Sequence, residues 1–210
     1  MTAESAPEMR RSRGDRQRDA IIAAVRELLH ERSFADLSVS TISERAGVAR
    51  SGFYFYFDSK YAVLAVILAD AGDLLDSLTH HFAPREPGES PAAFAKRMVG
   101  SAAAVYANDD PVLKACAVAR NTDAQIREMM DDFYDGIIDK IVTLLEQDVD
   151  ARPISDDLPA LVRTLAATTT MTLTRDSAFV GRDTDPSRAI DALERLWVAA
   201  IWGADELPDK

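Results

Sequence analysis

The chain has 210 residues, with 24 Lys+Arg against 35 Asp+Glu and a formal net charge of −11; taken whole, it repels phosphate and is not composed like a basic nucleic-acid binder. Its hydrophobic content of 47% suffices for a packed core, and its one cysteine, Cys116, excludes an intramolecular disulfide and a cysteine-based zinc site. No apolar run reaches the ~18 residues of a membrane span, and the N-terminal arginines lack the apolar segment of a secretory signal, so the cytoplasm is the expected compartment.

The charge is unevenly divided. Residues 1–60 hold 10 basic and 9 acidic side chains, a net of +1, leaving 14 basic and 26 acidic, a net of −12, for residues 61–210. Met9–Arg18 alone carries Arg10, Arg11, Arg13, Arg16 and Arg18 against Asp15. The two parts are therefore expected to meet different partners.

Residues 1–14 are polar and aperiodic and read as a basic arm. From Asp15, Ile21, Ile22, Val25, Leu28 and Leu29 recur at spacings of three and four, which predicts an amphipathic helix to about Arg32. Ser38 is placed to cap a short helix, Val39 to about Ala46, closed by Gly47. A second short helix, Arg50 to about Phe55, follows. Asp58 is the expected cap of a long helix, Ser59 to about His81. After the break at Pro84–Pro91, Ser90 is expected to cap a helix that begins with Pro91 and runs to about Ala107. The remaining predicted helices are Val112–Arg120, Thr122 or Asp123 to about Gln147, Leu158–Ala178 and Ser187–Trp202. The expected fold is all-α, with about nine helices.

Two short helices joined at a glycine, after an amphipathic helix, suggest a helix-turn-helix. Residue identities sharpen this. The stretch Phe34–Lys60 (FADLSVSTISERAGVARSGFYFYFDSK) resembles the DNA-binding domain of the TetR family of transcriptional repressors. Its Ile42–Ser43–Glu44–Arg45–Ala46–Gly47–Val48 turn and Phe53–Tyr54–Phe55–Tyr56–Phe57–Asp58–Ser59–Lys60 block fall in the family's register. Ile42, Ala46 and Val48 are apolar where the two helices pack, and Phe53 and Phe57 are expected in the core.

The DNA-facing set is read as Ser38, Thr41, Arg50, Ser51, Gly52, Tyr54, Tyr56 and Lys60. Arg50 and Ser51 open the second short helix, where an arginine suits guanine in the major groove. The phenols of Tyr54 and Tyr56 can donate to phosphate. Lys60, at the start of the next helix, can pair with phosphate beside that helix's N-terminal dipole. Two residues depart from the family pattern and bear on base specificity. Ala49 replaces a usual serine, losing an N-cap worth roughly 0.5–2 kcal/mol, and Gly52 stands where threonine is common, exposing backbone for close approach.

The aromatic block and the ending Leu196–Trp197–Val198–Ala199–Ala200–Ile201–Trp202–Gly203 resemble, within that family, the ethionamide-resistance repressor branch. Lys114–Thr122 aligns with the same branch. The resemblance implies an apolar channel between the middle helices for elongated hydrophobic effectors. Carried over by position, its lining is Val99, Ala102, Ala103, Tyr106, Leu113, Ala117, Met130, Phe133, Tyr134, Ile137, Ile141, Thr169 and Trp197. Ala102, Ala103 and Tyr106 share a helix face, and Phe133, Ile137 and Ile141 recur at every fourth position. Thr168, Thr169, Thr170 and Thr172 crowd one helix. Either they serve a ligand carbonyl, or they bond their own i−4 carbonyls in a filled core.

Apolar stripes on the last two helices (Leu161, Leu165 and Thr172; Ala189, Leu193, Leu196, Trp197, Ala200 and Ile201) are expected to form a homodimer. A two-fold dimer presents its recognition helices to successive major grooves of a palindromic operator. The expected function is a repressor on double-stranded DNA released by an apolar small molecule, without cofactor, metal, membrane or catalytic residues; a TetR-fold activator is the alternative of the same architecture. One motif points elsewhere. Asp131, Asp132 and Asp135 match the DDxxD pattern of Mg-dependent isoprenoid-type enzymes, since carboxylates four apart share a helix face. The chain lacks the second acidic motif such an enzyme needs, and His30, His80 and His81 have no metal-ligand spacing.

Overall fold

The computed structural model describes residues 13–70, 83–107, 110–174 and 185–206. The described residues form nine α-helices and no strand: α1 (Arg13–Glu31), α2 (Val39–Arg45), α3 (Arg50–Tyr56), α4 (Lys60–Asp70), α5 (Pro91–Ala107), α6 (Pro111–Ala119), α7 (Ala124–Glu146), α8 (Leu158–Leu173) and α9 (Pro186–Ile201). Most of the expected arm, the continuation of α4 to His81, the turn at Asn108, the end of α8 at Ala178 and the loop from Gly181 lie outside the described residues.

Local chemistry accounts for the ends. Ser38 Oγ accepts the Thr41 amide at 3.1 Å, Ser90 Oγ that of Ala93 at 3.2 Å, and Asp157 Oδ1 that of Ala160 at 3.0 Å, each filling an orphan donor of a first helical turn. Asp123 Oδ1 accepts from the Ile126 amide, so Asp123 caps α7. The expected cap at Asp58 is corrected: Ser59 Oγ takes the Ala62 amide at 3.1 Å, one residue further on. At the end of α2, the Gly47 amide reaches Glu44 O and the Val48 amide reaches Ser43 O. This closure requires Gly47 to adopt φ 65°, which glycine does without a Cβ penalty.

The chain divides into two compact units: residues 1–70 with 111–128, and residues 71–110 with 129–210. In the first, α1 packs against α2, α4 and α6, and α2 against α3. Ile21, Val25, Leu28, Phe34, Ile42, Phe53, Val63, Leu64, Ile67, Cys116 and Ile126 are buried there. Thus α6 and the turn after it belong with the helix-turn-helix, although they lie 50 residues beyond it in sequence. In the second unit α9 packs against α5 and α8, over a core that includes Phe94, Met98, Val142, Leu145, Val162, Leu193, Val198, Ile201 and Trp202.

An ionic clamp closes the second unit. Arg85 donates from Nε and Nη2 to both oxygens of Asp148, at 2.8 and 2.7 Å, from Nη2 to Asp150 and from Nη1 to Glu89 O at 2.7 Å. The Trp202 indole donates to Asp148 at 3.1 Å. Burial pushes the Asp148 carboxyl up, but hydrogen bonds from Arg85, the Asp150 amide and Trp202 outweigh it and hold the group below the usual carboxylate range. A depressed folded-state pKa stabilises above the unfolded value of about 3.9 and loses that contribution as pH falls through the folded value. Asp148→Asn is therefore expected to cost about 3 kcal/mol at pH 7. The difference in stability between wild type and variant, measured by urea denaturation from pH 7 to 2.5, should shrink only below about pH 4; a constant difference sinks the assignment.

Candidate nucleic-acid interface and ligand site

The helix-turn-helix is held from behind. Arg45 on α2 forms a two-pronged bond to Glu31 at the end of α1, both at 2.8 Å, with Glu27 at 3.5 Å. The Arg45 hydrogen bond holds Glu31 below its ordinary range. Arg18 of α1 lies over the Phe57 ring at 5.6 Å. Phe53, fully buried, meets Phe57 at 6.0 Å. Tyr56 is half-buried, and its hydroxyl donates to Gln17 Oε1 of α1 at 3.2 Å.

With Phe53 inward, Arg50, Ser51 and Tyr54 face outward on α3 and are exposed. The Arg50 guanidinium lies 5.8 Å from the Tyr54 ring centre, so the arginine is partly oriented before any partner arrives. Ser38 and Thr41 share a 2.8 Å hydroxyl contact at the start of α2. Ala49 has the extended backbone of an N-cap but no side-chain cap bond. Gly52 is helical, and a Cβ there would meet only Val48 Cβ at 3.9 Å, an ordinary contact. Its hydrogen side chain is therefore not a packing requirement of the free protein.

Lys60 departs from the expected role. Its ammonium donates to Phe34 O at 2.8 Å, Ala35 O at 3.2 Å and Leu37 O at 2.8 Å, and sits 4.7 Å over the Phe34 ring. An ammonium has three N–H donors, and all three are used on backbone carbonyls. In the free protein Lys60 thereby fastens the start of α4 to the turn that precedes α2. Sequence reasoning also passed over Phe55, which is 80% exposed; its spacing of four from Ser51 was the available signal.

The expected effector-lining residues fall in both units. Leu113, half-buried, and Ala117, exposed, belong to the first. In the second, Val99, Ile141 and Trp197 are part of the core cluster, and Ala102, Ala103, Tyr106 and Ile137 are partly buried against it. Met130 is buried, and the half-buried rings of Phe133 and Tyr134 lie 5.6 Å apart. The threonine alternatives resolve towards internal bonding: Thr168, Thr169 and Thr172 donate to their i−4 carbonyls at 2.8–2.9 Å. Thr169 also accepts the Trp197 indole N–H at 3.0 Å. Both partners are thus satisfied without a ligand carbonyl.

The acidic motif is likewise accounted for within the fold. Asp135 pairs with Arg163 at 2.8 Å, and no group of three His, Cys, Asp or Glu among the described residues is placed to hold a metal ion. Nor is any single described helix long and apolar enough to cross a membrane.

A braced helix-turn-helix with an outward basic and aromatic face, in an all-helical chain, defines a helix-turn-helix regulator of transcription. Residues 21–67 of the chain match the bacterial regulatory proteins of the tetR family. The chain is similar to the HTH-type transcriptional regulator EthR of Mycobacterium tuberculosis, 27% identical over 195 residues that cover 92% of this chain and 90% of that protein. Its fold is shared with a TetR transcription regulator from Haloarcula marismortui (TM-score 0.66, 15% identity, 88% of this chain and 98% of that one). It is shared also with the regulator FadR from Bacillus subtilis in complex with stearoyl-CoA (TM-score 0.61, 18% identity, 87% and 98%).

Lys60→Met should lower stability by about 2 kcal/mol, because it removes a donor from three carbonyls, of which Phe34 O keeps the Leu37 amide. Chemical denaturation checks this; unchanged stability would return Lys60 to the DNA-facing set. Gly52→Ala should stabilise the domain by about 0.5–1 kcal/mol while weakening DNA binding if bare backbone approaches the duplex. Unaltered affinity in a fluorescence-anisotropy titration removes Gly52 from the interface.

Proposed function

We propose that the protein is a homodimeric repressor whose α2–α3 pair binds a palindromic operator and which an apolar small molecule releases. The carrying observation is the outward face of α3, where Arg50, Ser51 and Tyr54 are exposed while Phe53 anchors the helix. Residues 1–14 act as a basic arm, 15–60 as the DNA-binding domain and 61–210 as the effector and dimerisation domain. Arg50 reads a base edge, and Ser38, Thr41, Ser51, Gly52, Tyr54 and Tyr56 make the backbone and neighbouring contacts. The protein works in the cytoplasm, where operator DNA is found.

Dimerisation is supported by what the last two helices leave uncovered. Leu165, Leu193, Trp197, Ala200 and Ile201 are spent on the core. Met171 and Leu196 remain 44% and 43% exposed, and Leu161 and Ala189 are half-buried. Effector binding is supported by the partly buried Ala102, Ala103, Tyr106 and Ile137, small and amphipathic side chains beside the core, and by the acyl-CoA carried by the similarly folded FadR. For the effector to release DNA it must favour one arrangement of the dimer over the other.

The DNA-binding part has a near-neutral balance, so phosphate contacts are few. About four per dimer predict a loss of about 100-fold in affinity between 50 and 200 mM salt. Arg50→Ala should change base preference, whereas Tyr54→Phe should weaken all sequences alike. Selection from a random-sequence duplex library, followed by anisotropy, measures both. Absence of any selected duplex at 50 mM salt sinks the proposal. Native mass spectrometry of the purified protein should show a dimer carrying a lipid-like mass.

A further inference from the structure

We propose that Phe55 is a specificity-determining residue that docks on the 5-methyl group of thymine in the operator's major groove. The inference rests on the reading of α3 as the recognition helix. Phe34, Phe53, Phe57 and Phe94 are all 5% exposed or less, whereas Phe55 is 80% exposed. Helical spacing puts Phe55 one turn after Ser51, beside Tyr54, on the outward face of α3. Side chains on a helix lean toward its N-terminus. Such a lean carries an exposed ring toward Ser51 and the N-terminal half of α3, the end that leads into a major groove in helix-turn-helix docking.

The ring is also held in place. Phe55 meets the Tyr56 ring edge-to-face, with centroids 4.9 Å apart and planes at 83°. Tyr56 is itself tied to α1 by its bond to Gln17. A phenylalanine ring has no hydrogen-bonding group to offer a base edge or a phosphate. Among the base edges in the major groove, the apolar feature it can cover is the thymine methyl. The helix thus combines one polar reader, Arg50, with one apolar reader, Phe55, five residues or about 1.4 turns apart, so that a guanine and a thymine at fixed separation in each half-site satisfy both.

The test uses the full-length protein and a duplex selected by it from a random-sequence library. Each thymine of the half-site is replaced in turn, symmetrically, by uracil, which removes the methyl alone. At one position the wild type should lose about 4-fold per half-site, or about 15-fold for the symmetric pair. Phe55→Ala should bind the thymine duplex about 15-fold more weakly and should no longer distinguish thymine from uracil there. Arg50→Ala should retain the discrimination. If uracil is tolerated at every position, or if Phe55→Ala discriminates as well as the wild type, the inference is overturned. The same holds if Phe55→Ala alters self-association in sedimentation but leaves DNA affinity unchanged. If the wild type selects no duplex at all, it is the operator-binding reading that fails.

Discussion

The DNA-binding unit depends on where one ammonium group sits. The turn that follows α1 runs through Phe34, Ala35 and Leu37 before α2 begins, and three of its carbonyls converge on Lys60 Nζ at the first residue of α4. A short turn of this kind has few internal partners for its carbonyls. A lysine brought in from a later helix satisfies them, and the rings of Phe34 and Tyr61 flank its charge at 4.7 and 5.7 Å. The beginning of α4 is thereby fastened to the connection between α1 and α2. α3 lies between these points in sequence, so its direction is constrained at both ends. Arg45 on Glu31 and Tyr56 on Gln17 add attachments to α1. The outward face of α3 can then be polar and aromatic without contributing to stability, which leaves its residues available for recognition.

The same unit recruits a distant segment. Tyr61 Oη lies 3.3 Å from Thr122 Oγ1, and Thr122 donates to Ala119 O. The α6 helix packs against α1, α4 and the turn at Phe34, with Ala115, Cys116 and Ala119 buried. The small residues of α6 permit this close approach. The α7 helix runs unbroken from Ala124 to Glu146; its residues through Glu128 belong to this unit and those from Met129 to the other.

In the second unit, polar groups inside the core are satisfied in pairs. Thr169 donates its hydroxyl hydrogen bond to Leu165 O and accepts the Trp197 indole N–H; Asp148 accepts from Arg85 and the Trp202 indole. Each tryptophan gains a hydrogen-bonded anchor as well as buried area. The loop after α7 is tied also through its backbone, with the Arg152 and Ile154 amides on Ile201 O and Ala200 O. The end of α9 is thus secured to the loop after α7.

Much of this was legible in the sequence. Apolar periodicity is a one-dimensional signal, so nine helices emerged, with limits close to those observed wherever both ends lie among the described residues. Caps at Ser38, Ser90 and Asp123 and the glycine at position 47 act within a few residues of themselves. The burial of Phe53 and Phe57 followed from the same local arithmetic, and the Phe34–Lys60 motif carried the family. The sequence alone also placed the −12 charge in the last 150 residues. Other features depend on contacts between residues far apart in the chain, which no spacing rule contains. Lys60 has the composition of a phosphate ligand, yet in the free protein its ammonium donates to the carbonyls of Phe34, Ala35 and Leu37, more than 20 residues earlier. Thr169 had the look of a ligand-binding hydroxyl until its own helix and Trp197 filled both of its bonding roles. Phe55 looked like its aromatic neighbours, and only the packing of Phe53 and Phe57 beneath it left its ring in the open. A side chain's type and local period were set by the sequence. Whether its hydrogen-bonding capacity and surface were spent inside the protein or left for a partner was decided only when the helices came together.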